Sequence, residues 1–345
     1  MISALPTART PDPMAAPPRR WGILATGGIA GRMVDALHAH TRQQVVAVGS
    51  RALDRAQAFA AAKGIPRAYG SYEQLVADPD VDIIYVASPH SEHAAHALLS
   101  LQAGKPTLVE KAFTRNASEA ARVVAAAQAA RVPVMEAIMT RQTPALDVVR
   151  QLVDGGDLGA VETILADHGQ NLTHVPRLVR TELAGGALLD LGIYCVQFAV
   201  FLGGMPTRVA AMGALTDTGV DAHVAISCDG FQRLPQAMAS LHTTMLSNTP
   251  TRACVAGSAA RVELSGPFTG GGVALRFVPK GGDVIERPLP DIVGPQALCY
   301  EAAHFAQLVA DGALDSPIMP AAESVAIMRL LDNVRAQLGV HYPGE

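Results

Sequence analysis

The sequence contains little charge, few aromatic residues and few cysteines. Of its 345 residues, 17% are charged and 4% are aromatic, and its four cysteines show neither a CxxC nor a paired His/Cys spacing. This spacing argues against a zinc site and against a disulfide framework, so we expect buried thiols in a reducing cytoplasm. No apolar run approaches the roughly 18–20 residues of a membrane helix. We therefore expect a soluble, cytoplasmic protein with no membrane partner.

A surplus of basic residues is also missing. Lys and Arg total 27 against 31 Asp and Glu, which gives a net charge of −4. A general nucleic-acid-binding protein usually concentrates positive charge on one face, so we expect no nucleic-acid partner. The length and the 49% of hydrophobic residues are sufficient for two separate hydrophobic cores.

The N-terminal segment differs from the rest of the chain. Residues 1–20 contain five prolines and no continuous apolar region of the kind that a secretory signal needs. We predict a disordered tail over residues 1–19, within which Met14 is an alternative start to Met1.

Residues 20–140 have the pattern of a doubly wound α/β domain. Short apolar, β-branched runs alternate with amphipathic stretches, and such runs are typical of strands buried on both faces of a parallel sheet. Helix starts are marked by capping residues at Ser71 and Asn116, and helix ends by Gly64 and Gly104. The predicted strands cover residues 21–25, 45–50, 81–88, 107–110 and 132–136. We predict an N-terminal Rossmann domain with right-handed crossovers.

The pattern changes after residue 150. Helices are predicted over about 144–154 and 186–202, with a strand over 161–169 between them. From 207 to 289, six or seven segments alternate polar and apolar residues, which predicts an open, largely antiparallel sheet. Two helices, over about 296–311 and 321–339, end the chain. We assign residues 141–345 to a second α/β domain for substrate binding and oligomerisation, with its last helix packing back on the Rossmann domain.

A dinucleotide-binding turn follows the first predicted strand. Its residues are Ala25, Thr26, Gly27, Gly28, Ile29 and Ala30, with alanine at the first and third glycine positions of the usual motif. Gly27 is the position at which the backbone must approach the pyrophosphate without a Cβ. The helix that follows offers free N–H groups and the positive end of its dipole to the phosphates.

The end of the second strand favours NADP(H) over NAD(H). An NAD-preferring protein normally places Asp or Glu there, whereas this chain has Ser50 followed by Arg51, with Arg55 one turn later. Arginine pairs well with the oxygens of a 2′-phosphate. The alternative is that Arg51 is an ordinary solvated turn residue.

Two further segments combine polar residues suited to proton transfer. Glu110 and Lys111 end the fourth predicted strand, at the edge of a parallel sheet where ligands bind. Asp190 and Tyr194 are four residues apart and share one face of a predicted helix. A lysine near a tyrosine stabilises the phenolate, which suits a proton relay to an alcohol or carbonyl. Taken singly, such a lysine is usually solvated and such a tyrosine usually belongs to the core.

The sequence resembles the glucose–fructose oxidoreductase/inositol dehydrogenase (Gfo/Idh/MocA) family from about Trp21 to Pro343. Within the family it is most similar to the NADP-dependent sugar (xylose) and trans-dihydrodiol dehydrogenases, because Tyr194 stands where many relatives carry histidine. The segments that carry the resemblance are ATGGIA, YVASPHSEHAAHALLSLQAGKPTLVEKAF, VMEAIMTR, ELAGGALLDLGIY, FLGGMPTRV and LDNVRAQLGVHYP.

The resemblance implies a role for individual residues. Tyr194 would be the general acid/base, Lys111 would position the nicotinamide and the reacting hydroxyl, and Asp190 would orient the substrate. Arg177 is a weaker candidate for substrate contact. The residues that the resemblance implies in further cofactor contacts are Ser88, Pro89, His93, Glu110 and Arg141. One departure is Ala112, which replaces the proline that follows the lysine in the family and removes its backbone constraint.

The histidines of the SPHSEHA segment raise the question of a metal site. His93 and His96 are spaced to share a helix face near His90, but no acidic or further histidine ligand completes a site. We therefore expect no metal, a cofactor contact for His93 and a solvated His96.

These observations predict an NADP(H)-dependent oxidoreductase. It would transfer hydride between the nicotinamide and a hydroxyl, hemiacetal or carbonyl carbon of a small sugar-like substrate. Two alternatives remain at this point: a reductase of a ketosugar or diketone working in the opposite direction, and a non-catalytic NADP(H)-sensing regulator. An open sheet with one uncovered face predicts a homodimer or a larger homo-oligomer through that face.

Overall fold

A computed structural model describes residues 2–288 and 292–345 of the chain. These residues form two compact units, each with its own sheet. The parallel-sheet unit consists of Pro11–Met139 and Pro295–Met328, and the open-sheet unit of the described residues within Met1–Thr10, Thr140–Gly294 and Arg329–Glu345. The predicted fold class, a Rossmann domain followed by an α/β domain with a largely antiparallel sheet, is confirmed.

The parallel-sheet unit contains a six-stranded, fully parallel sheet in the order β3-β2-β1-β4-β5-β6. Its strands are β1 (Arg20–Leu24), β2 (Gln44–Gly49), β3 (Arg67–Tyr69), β4 (Ile83–Val86), β5 (Thr107–Glu110) and β6 (Val134–Ala137). Strands β4, β5 and β6 are buried along their whole length, as their continuous apolar sequences predict. This order reverses direction between β1 and β4, which is where a doubly wound sheet binds its ligand.

Among the described residues, six α-helices lie entirely within this unit. They are α1 (Gly28–His40), α2 (Leu53–Lys63), α3 (Tyr72–Val76), α4 (His93–Gln102), α5 (Ala117–Ala130) and α8 (Leu298–Ala310). The predicted caps are confirmed: the Ser71 and Asn116 side chains accept hydrogen bonds from the backbone N–H groups of Gln74 and Glu119. Gly64 ends α2 with a φ of 68°, a conformation that favours glycine.

The open-sheet unit contains an eight-stranded sheet in the order β14-β13-β12-β11-β7-β10-β9-β8. Among the described strands of this sheet, only the β7–β10 pair is parallel. The strands are β7 (Val161–Gly169), β8 (Arg208–Leu215), β9 (Asp221–Asp229), β10 (Met238–Thr244), β11 (Ala253–Gly257), β12 (Ala260–Leu264), β13 (Ala274–Pro279) and β14 (Ile285–Pro288). Leu289, the last residue of the predicted strand pattern, lies outside the described residues.

The helices of the open-sheet unit include α6 (Pro144–Asp154) and α7 (Ile193–Gly203). A π-helical turn, Leu188–Gly192, precedes α7, so the regular helix predicted over 186–202 is corrected to a π turn followed by an α-helix. Within the described residues, the stretch Thr181–Gly203 has the length and hydropathy of a membrane span, and 89% of its most apolar window is buried inside the structure. That burial is typical of a core helix.

The predicted boundary between the domains needs one correction. The chain does pass from one unit to the other at residue 139, but 295–328 belong to the parallel-sheet unit rather than to the second domain. The reason is the apolar face of α8, on which Phe305 packs edge-on against Trp21 of β1 with 6.5 Å between the ring centroids. The last helix, α9 (Ala321–Leu338), is divided between the two units at Arg329.

The N-terminal segment is also corrected. Residues 2–19 make defined contacts in the structure, although their prolines prevent regular strands or helices beyond one short 3₁₀ turn. In the open-sheet unit, Arg9 forms an ion pair with Asp147 at 3.0 Å. In the parallel-sheet unit, Nε of Arg42 donates to the backbone carbonyl of Met14 at 2.8 Å. Proline-rich sequence therefore excludes regular structure here but not attachment to the surface.

Candidate active site

The dinucleotide-binding turn lies between β1 and α1. Gly27 is the N-terminal cap of α1, and Gly28 is its first residue. Ala25 has a φ of 84° at the position where the usual motif has its first glycine. This left-handed conformation is costly for alanine, which shows that the turn keeps its shape without the glycine. The first N–H groups of α1 point out of the end of the helix, as an anion site requires.

The shape of this turn fits a dinucleotide. A Cβ built on Gly28 would meet no other atom within 4 Å, and one built on Gly27 would meet only the carbonyl oxygen of Ala87, at 3.8 Å. The two glycines are therefore not needed to pack the protein against itself. They leave an open cradle at the N-terminus of α1, where Thr26, Ile29 and Ala30 complete the turn that would hold the pyrophosphate of NAD(P)(H).

Arg51 and Arg55 lie beyond the end of β2, and both side chains are exposed. Neither guanidinium forms an ion pair within residues 2–288 and 292–345, unlike most arginines of the structure. Burial raises the pKa of Tyr72, and the positive charge of Arg51 acts in the opposite direction. Arg51 therefore lies close to Tyr72 and, with the buried Ser50, offers free positive charge at this edge of the sheet.

The segment after β4 is held by two histidines. The His93 ring is fully buried, with Nδ1 at 2.8 Å from the carbonyl oxygen of Ala112 and Nε2 at 2.7 Å from that of Ser88. Burial lowers the pKa of His93 to about 4, so at neutral pH the ring carries one N–H and donates to one of these carbonyls at a time. The Ser88 hydroxyl also shares a 2.9 Å hydrogen bond with Nδ1 of His96.

His93 consequently differs from its predicted role. We expected its ring to line the nicotinamide side of the groove, but the ring has no exposed surface. Instead it ties the residue before Pro89 to the residue after Lys111. His96, expected to be solvated, is half-buried and packs edge-on against Tyr72 at 4.6 Å between ring centroids.

Glu110 and Lys111 end β5 at the same edge of the sheet. The Tyr85 hydroxyl donates to Oε2 of Glu110 at 2.5 Å, and Glu110 is buried while Lys111 is partly exposed. The peptide bond between Lys111 and Ala112 is cis. The parallel-sheet unit thus brings the predicted lysine to the carboxyl edge of the strands that also carry the nucleotide turn.

The paired glycines of the open-sheet unit are required by close packing. A Cβ on Gly185 would lie 2.4 Å from the carbonyl oxygen of Leu178, and one on Gly186, whose φ is 115°, would lie 2.2 Å from Oδ1 of Asp221. The backbone N–H of Leu188 donates to the other oxygen of Asp221, at 2.5 Å. This carboxyl therefore caps the start of the helical segment that carries Asp190 and Tyr194.

The structure places Asp190 beside Arg177. Nη2 of Arg177 donates to Oδ1 of Asp190 at 3.1 Å, and the Asp190 side chain is largely buried while that of Arg177 is 44% exposed. Arg177 and Asp190, which were predicted separately as substrate contacts, thus form one ion pair. Asp190 lies in the π turn and Tyr194 in the first turn of α7, so they do not lie on one regular helix face as predicted.

His168 is a neighbour of Tyr194 that the sequence did not predict. Its ring packs edge-on against Tyr194 with 5.2 Å between centroids. Gln170 Nε2 donates to its Nε2 at 2.9 Å, which leaves Nδ1 to donate to the carbonyl oxygen of Leu191 at 3.3 Å. This neutral imidazole supports the Tyr194 ring. Twenty-six residues separate the two rings in the chain, and only the packing of α7 on β7 brings them together.

Arg141 is a buried residue of the open-sheet unit. Its guanidinium lies over the Phe201 ring, 5.3 Å from the centroid. Its predicted contact with the cofactor stays a prediction.

No metal centre is evident in the part of the chain that the structure describes. Residues 2–288 and 292–345 contain no group of three or more His, Cys, Asp or Glu side chains arranged to hold a metal ion. The His90 and His93 rings instead pack edge-on against each other, 5.5 Å apart.

Comparison with protein families gives two matches. Residues 19–138 match the model of an oxidoreductase family with an NAD-binding Rossmann fold, and residues 147–263 match the model of a GFO/IDH/MocA C-terminal domain. Together these matches cover more than half of the chain.

Known proteins similar to the whole chain include trans-1,2-dihydrobenzene-1,2-diol dehydrogenases. The human protein is 38% identical over 334 residues, covering 94% of this chain and 98% of the relative, and the Macaca fuscata protein is 38% identical over 333. Among solved structures, KijD10, a 3-ketoreductase from Actinomadura kijaniata in complex with TDP-benzene and NADP, is 26% identical, with a TM-score of 0.79 over 93% of this chain and 98% of that one. An aldose-aldose oxidoreductase from Caulobacter crescentus shares the fold, with a TM-score of 0.83 at 24% identity over 93% and 97% of the chains.

The two kinds of glycine should respond differently to the same substitution. We expect Gly27→Ala to change the free energy of unfolding of the cofactor-free protein by no more than about 0.5 kcal/mol, because its φ of −76° suits alanine and the added methyl group meets open space. The same methyl group would occupy the pyrophosphate cradle and should weaken NADP(H) binding by about tenfold or more.

Gly186→Ala is the matched structural control. It should destabilise the protein by about 3 kcal/mol or more, because the methyl group would overlap Asp221 at a strained φ. Chemical denaturation and fluorescence titration with NADPH measure both effects. Unchanged NADPH affinity in Gly27→Ala would contradict the cradle assignment.

Proposed function

Because the chain belongs to the GFO/IDH/MocA oxidoreductase family, we propose that it is a cytoplasmic NADP(H)-dependent oxidoreductase acting on a small sugar-like substrate. Hydride would move between the nicotinamide and a carbon that carries a hydroxyl, a hemiacetal or a carbonyl. The observation that carries this proposal is the open glycine cradle at the N-terminus of α1, which shares the carboxyl edge of the sheet with Glu110 and Lys111. A vicinal diol, as named for the dihydrodiol dehydrogenases, presents the same kind of secondary hydroxyl as a sugar.

The preference for NADP(H) rests on the residues after β2. In an NAD-preferring site a carboxylate at this position accepts hydrogen bonds from the ribose hydroxyls. Ser50 provides no such charge, and the exposed Arg51 has a free guanidinium close to Tyr72. A guanidinium without a carboxylate partner is available for bidentate pairing with a 2′-phosphate. Arg55, one helical turn later, adds a second positive charge.

We assign the proton transfer to Tyr194. In oxidation its phenol oxygen would receive the proton of the substrate hydroxyl, and in reduction it would give a proton to the oxygen of the carbonyl. When bound, the cofactor supplies or accepts the hydride. The ring of Tyr194 packs edge-on against His168 on one side, and this contact keeps the phenol oriented.

Lys111 and Asp190 complete the proposed set of catalytic residues. The ammonium of Lys111 would stabilise negative charge on the reacting oxygen and position the nicotinamide. Asp190, fixed by Arg177, would accept a hydrogen bond from a substrate hydroxyl. The partly exposed guanidinium of Arg177 extends this pair toward solvent and would contact a second polar group of the substrate.

Reduction of a ketosugar is the second candidate function. The NADP-bound relative KijD10 is described as a 3-ketoreductase, and the same residues serve both directions of the reaction. A non-catalytic NADP(H) sensor is the less favoured alternative, because a sensor does not need Lys111, Asp190 and Tyr194 together. These functions are distinguished by measuring the rates of oxidation and reduction with a panel of sugars, diols and ketones. The absorbance of NADPH reports both rates.

We further propose a homodimer or larger homo-oligomer that buries the open face of the eight-stranded sheet. Leu165, Met212 and Met238 are 44%, 73% and 55% exposed on strands β7, β8 and β10. The exposed positions of β9, which lies between β10 and β8, are His223 and Ala225, and neither carries a large apolar side chain. A broad face with large apolar side chains is typical of a surface that is covered by another subunit.

Replacement of Arg51 by alanine should reduce the affinity for NADP(H) by about tenfold or more while changing that for NAD(H) little, because one charge-assisted interaction with the 2′-phosphate is lost. Michaelis constants for both cofactors measure the effect. Arg122→Ala, which removes an exposed arginine of α5, is the control and should match the wild type. A wild-type enzyme that prefers NAD(H) would refute the assignment.

Tyr194→Phe should lower turnover by about 100-fold or more, because it removes the proton-transferring oxygen and keeps the ring. Cofactor affinity should not change. The control is Tyr69→Phe, which removes the 2.9 Å hydrogen bond to Asp78 at the edge strand β3 and should leave turnover intact. Steady-state kinetics with a fluorescence titration separate the two effects, and undiminished turnover in Tyr194→Phe would exclude Tyr194 as the base.

Light scattering at micromolar concentration should give twice the chain mass of 35.9 kDa or a higher multiple. Met212→Asp should lower the observed mass, because it places a charge on the proposed interface. Leu314→Asp, at a residue that is 49% exposed in the parallel-sheet unit, should not. A monomeric wild type would rule out this assembly.

A further inference from the structure

Glu301 is a buried carboxyl group that the proposed reaction does not use. It lies in the first turn of α8, has no exposed surface, and neither of its carboxyl oxygens has a hydrogen-bond partner within the described residues. An ionised carboxylate in such a place would lack both water and donors, which is far more costly than burying the neutral acid. Glu301 therefore holds a proton.

The packing of α8 brings Glu301 toward the end of β5. Glu301 precedes Phe305 by one helical turn, so the two side chains share a face of the helix. Phe305 packs against Trp21 of β1. Trp21 and Ile23 lie on the same face of β1, and Ile23 pairs with Tyr85 of β4. These side chains share one side of the sheet, and the Tyr85 hydroxyl donates to Glu110 on that side.

Three charged groups act on Glu301 through this arrangement. Burial raises the pKa of Glu301 well above its usual range, and the negative charges of Glu110 and Glu136 raise it further, while Lys111 opposes them. Helix α1 and the Pro13–Ala15 turn also pack against α8. The titratable residues of α1 and of the cap of this turn lie at the surface: Asp12, Arg32, Asp35 and His38 are exposed, and His40 is partly exposed.

The hydrogen bonds show which of the three carboxyl groups carries the proton. Glu110 accepts from Tyr85, and Glu136 accepts from the backbone N–H of Phe113 and from the Ser324 hydroxyl, both at 3.0 Å. Donors to a carboxylate favour its ionised form. Glu301 has no such donor, so the proton of the cluster resides on Glu301.

We propose that Glu301 is a positioning residue for Lys111, and that as a neutral acid it leaves the ammonium directed to the cofactor and substrate. If Glu301 ionised, a third carboxylate would draw the ammonium toward the buried cluster. The same negative charge would oppose an anionic dinucleotide at this edge of the sheet. This inference rests on the proposed function for the role of Lys111, but the protonation of Glu301 does not.

The first test is the pH dependence of thermal unfolding of the cofactor-free full-length protein. In the unfolded chain Glu301 ionises near its usual pKa of about 4.3, while in the folded protein burial keeps it protonated to a higher pH. Its contribution to stability is therefore complete below that pH and declines as the pH rises. Glu301→Gln keeps the shape of the neutral acid but cannot ionise. The difference between its melting temperature and that of the wild type should therefore change steadily in favour of the variant from pH 5 to pH 8.

Glu162→Gln, at an exposed position of β7, is the control and should follow the wild type across this range. Glu301→Leu provides a second neutral side chain if Gln disturbs the packing. A difference between Glu301→Gln and wild type that does not vary with pH would overturn the assignment of the proton.

The second test is fluorescence titration with NADPH between pH 6 and pH 9. The wild type should lose about threefold to tenfold more affinity than Glu301→Gln over this range, because only the wild type gains a negative charge at the strand edge as the pH approaches the raised pKa of Glu301. Identical profiles would show that Glu301 is merely structural and overturn the positioning role. If both binding and stability behave as expected but no hydride transfer is found with any substrate, the proposed function fails and the inference on Glu301 stands.

Discussion

The parallel register of β1, β4 and β5 is the constraint on which the cofactor-binding half of the structure depends. Leu24 pairs with Val86, and Val86 pairs with Val109, so the three strands end within about one residue of one another. Every segment that follows a strand therefore emerges at one edge: the nucleotide turn after β1, Ser88 after β4 and Lys111 after β5. Hydrogen bonds then fix these segments to each other, because the His93 ring lies between the carbonyl oxygens of Ser88 and Ala112. Residues far apart in the chain meet as a consequence of register and not of local sequence.

In the open-sheet unit, close packing and capping contacts position the helix that carries Tyr194. Its proposed acid/base helix starts at a turn in which both glycines are in contact with neighbouring backbone or carboxyl oxygens. Asp221 caps that helix from β9, and the buried Tyr342 hydroxyl donates to the Gly185 carbonyl at 2.8 Å from the end of the chain. Burial raises the pKa of Asp221 to about 7, so this cap is itself held near the boundary between its neutral and ionised forms. The proposed base is thus positioned by groups that come from β7, β9 and the C-terminus.

The features that could be predicted from the sequence are those that depend on local sequence patterns. Apolar periodicity predicted both sheets except for the edge strand β3, and the capping residues Ser71 and Asn116 marked helix starts correctly. The sequence did not predict features that depend on which elements pack against each other in the folded protein. The apolar face of α8 indicates burial without indicating the sheet that it covers, so residues 295–328 were assigned to the wrong unit. His168 was missed because its partner Tyr194 is distant in sequence, and the π turn was missed because a helical apolar pattern does not specify five-residue hydrogen bonding.

A cluster of three buried glutamates is unusual in a protein with so few charged residues. Only 17% of its residues are charged, yet Glu110, Glu136 and Glu301 are all buried around one end of the parallel sheet. Apolar side chains of similar volume would fill this space at lower cost, since each buried acid needs donors, a counter-charge or a proton. Glu110 and Glu136 receive donors and Glu301 keeps a proton. Such a cluster stabilises a core poorly, but it can control the charge beside Lys111, the lysine that we propose acts on an anionic cofactor.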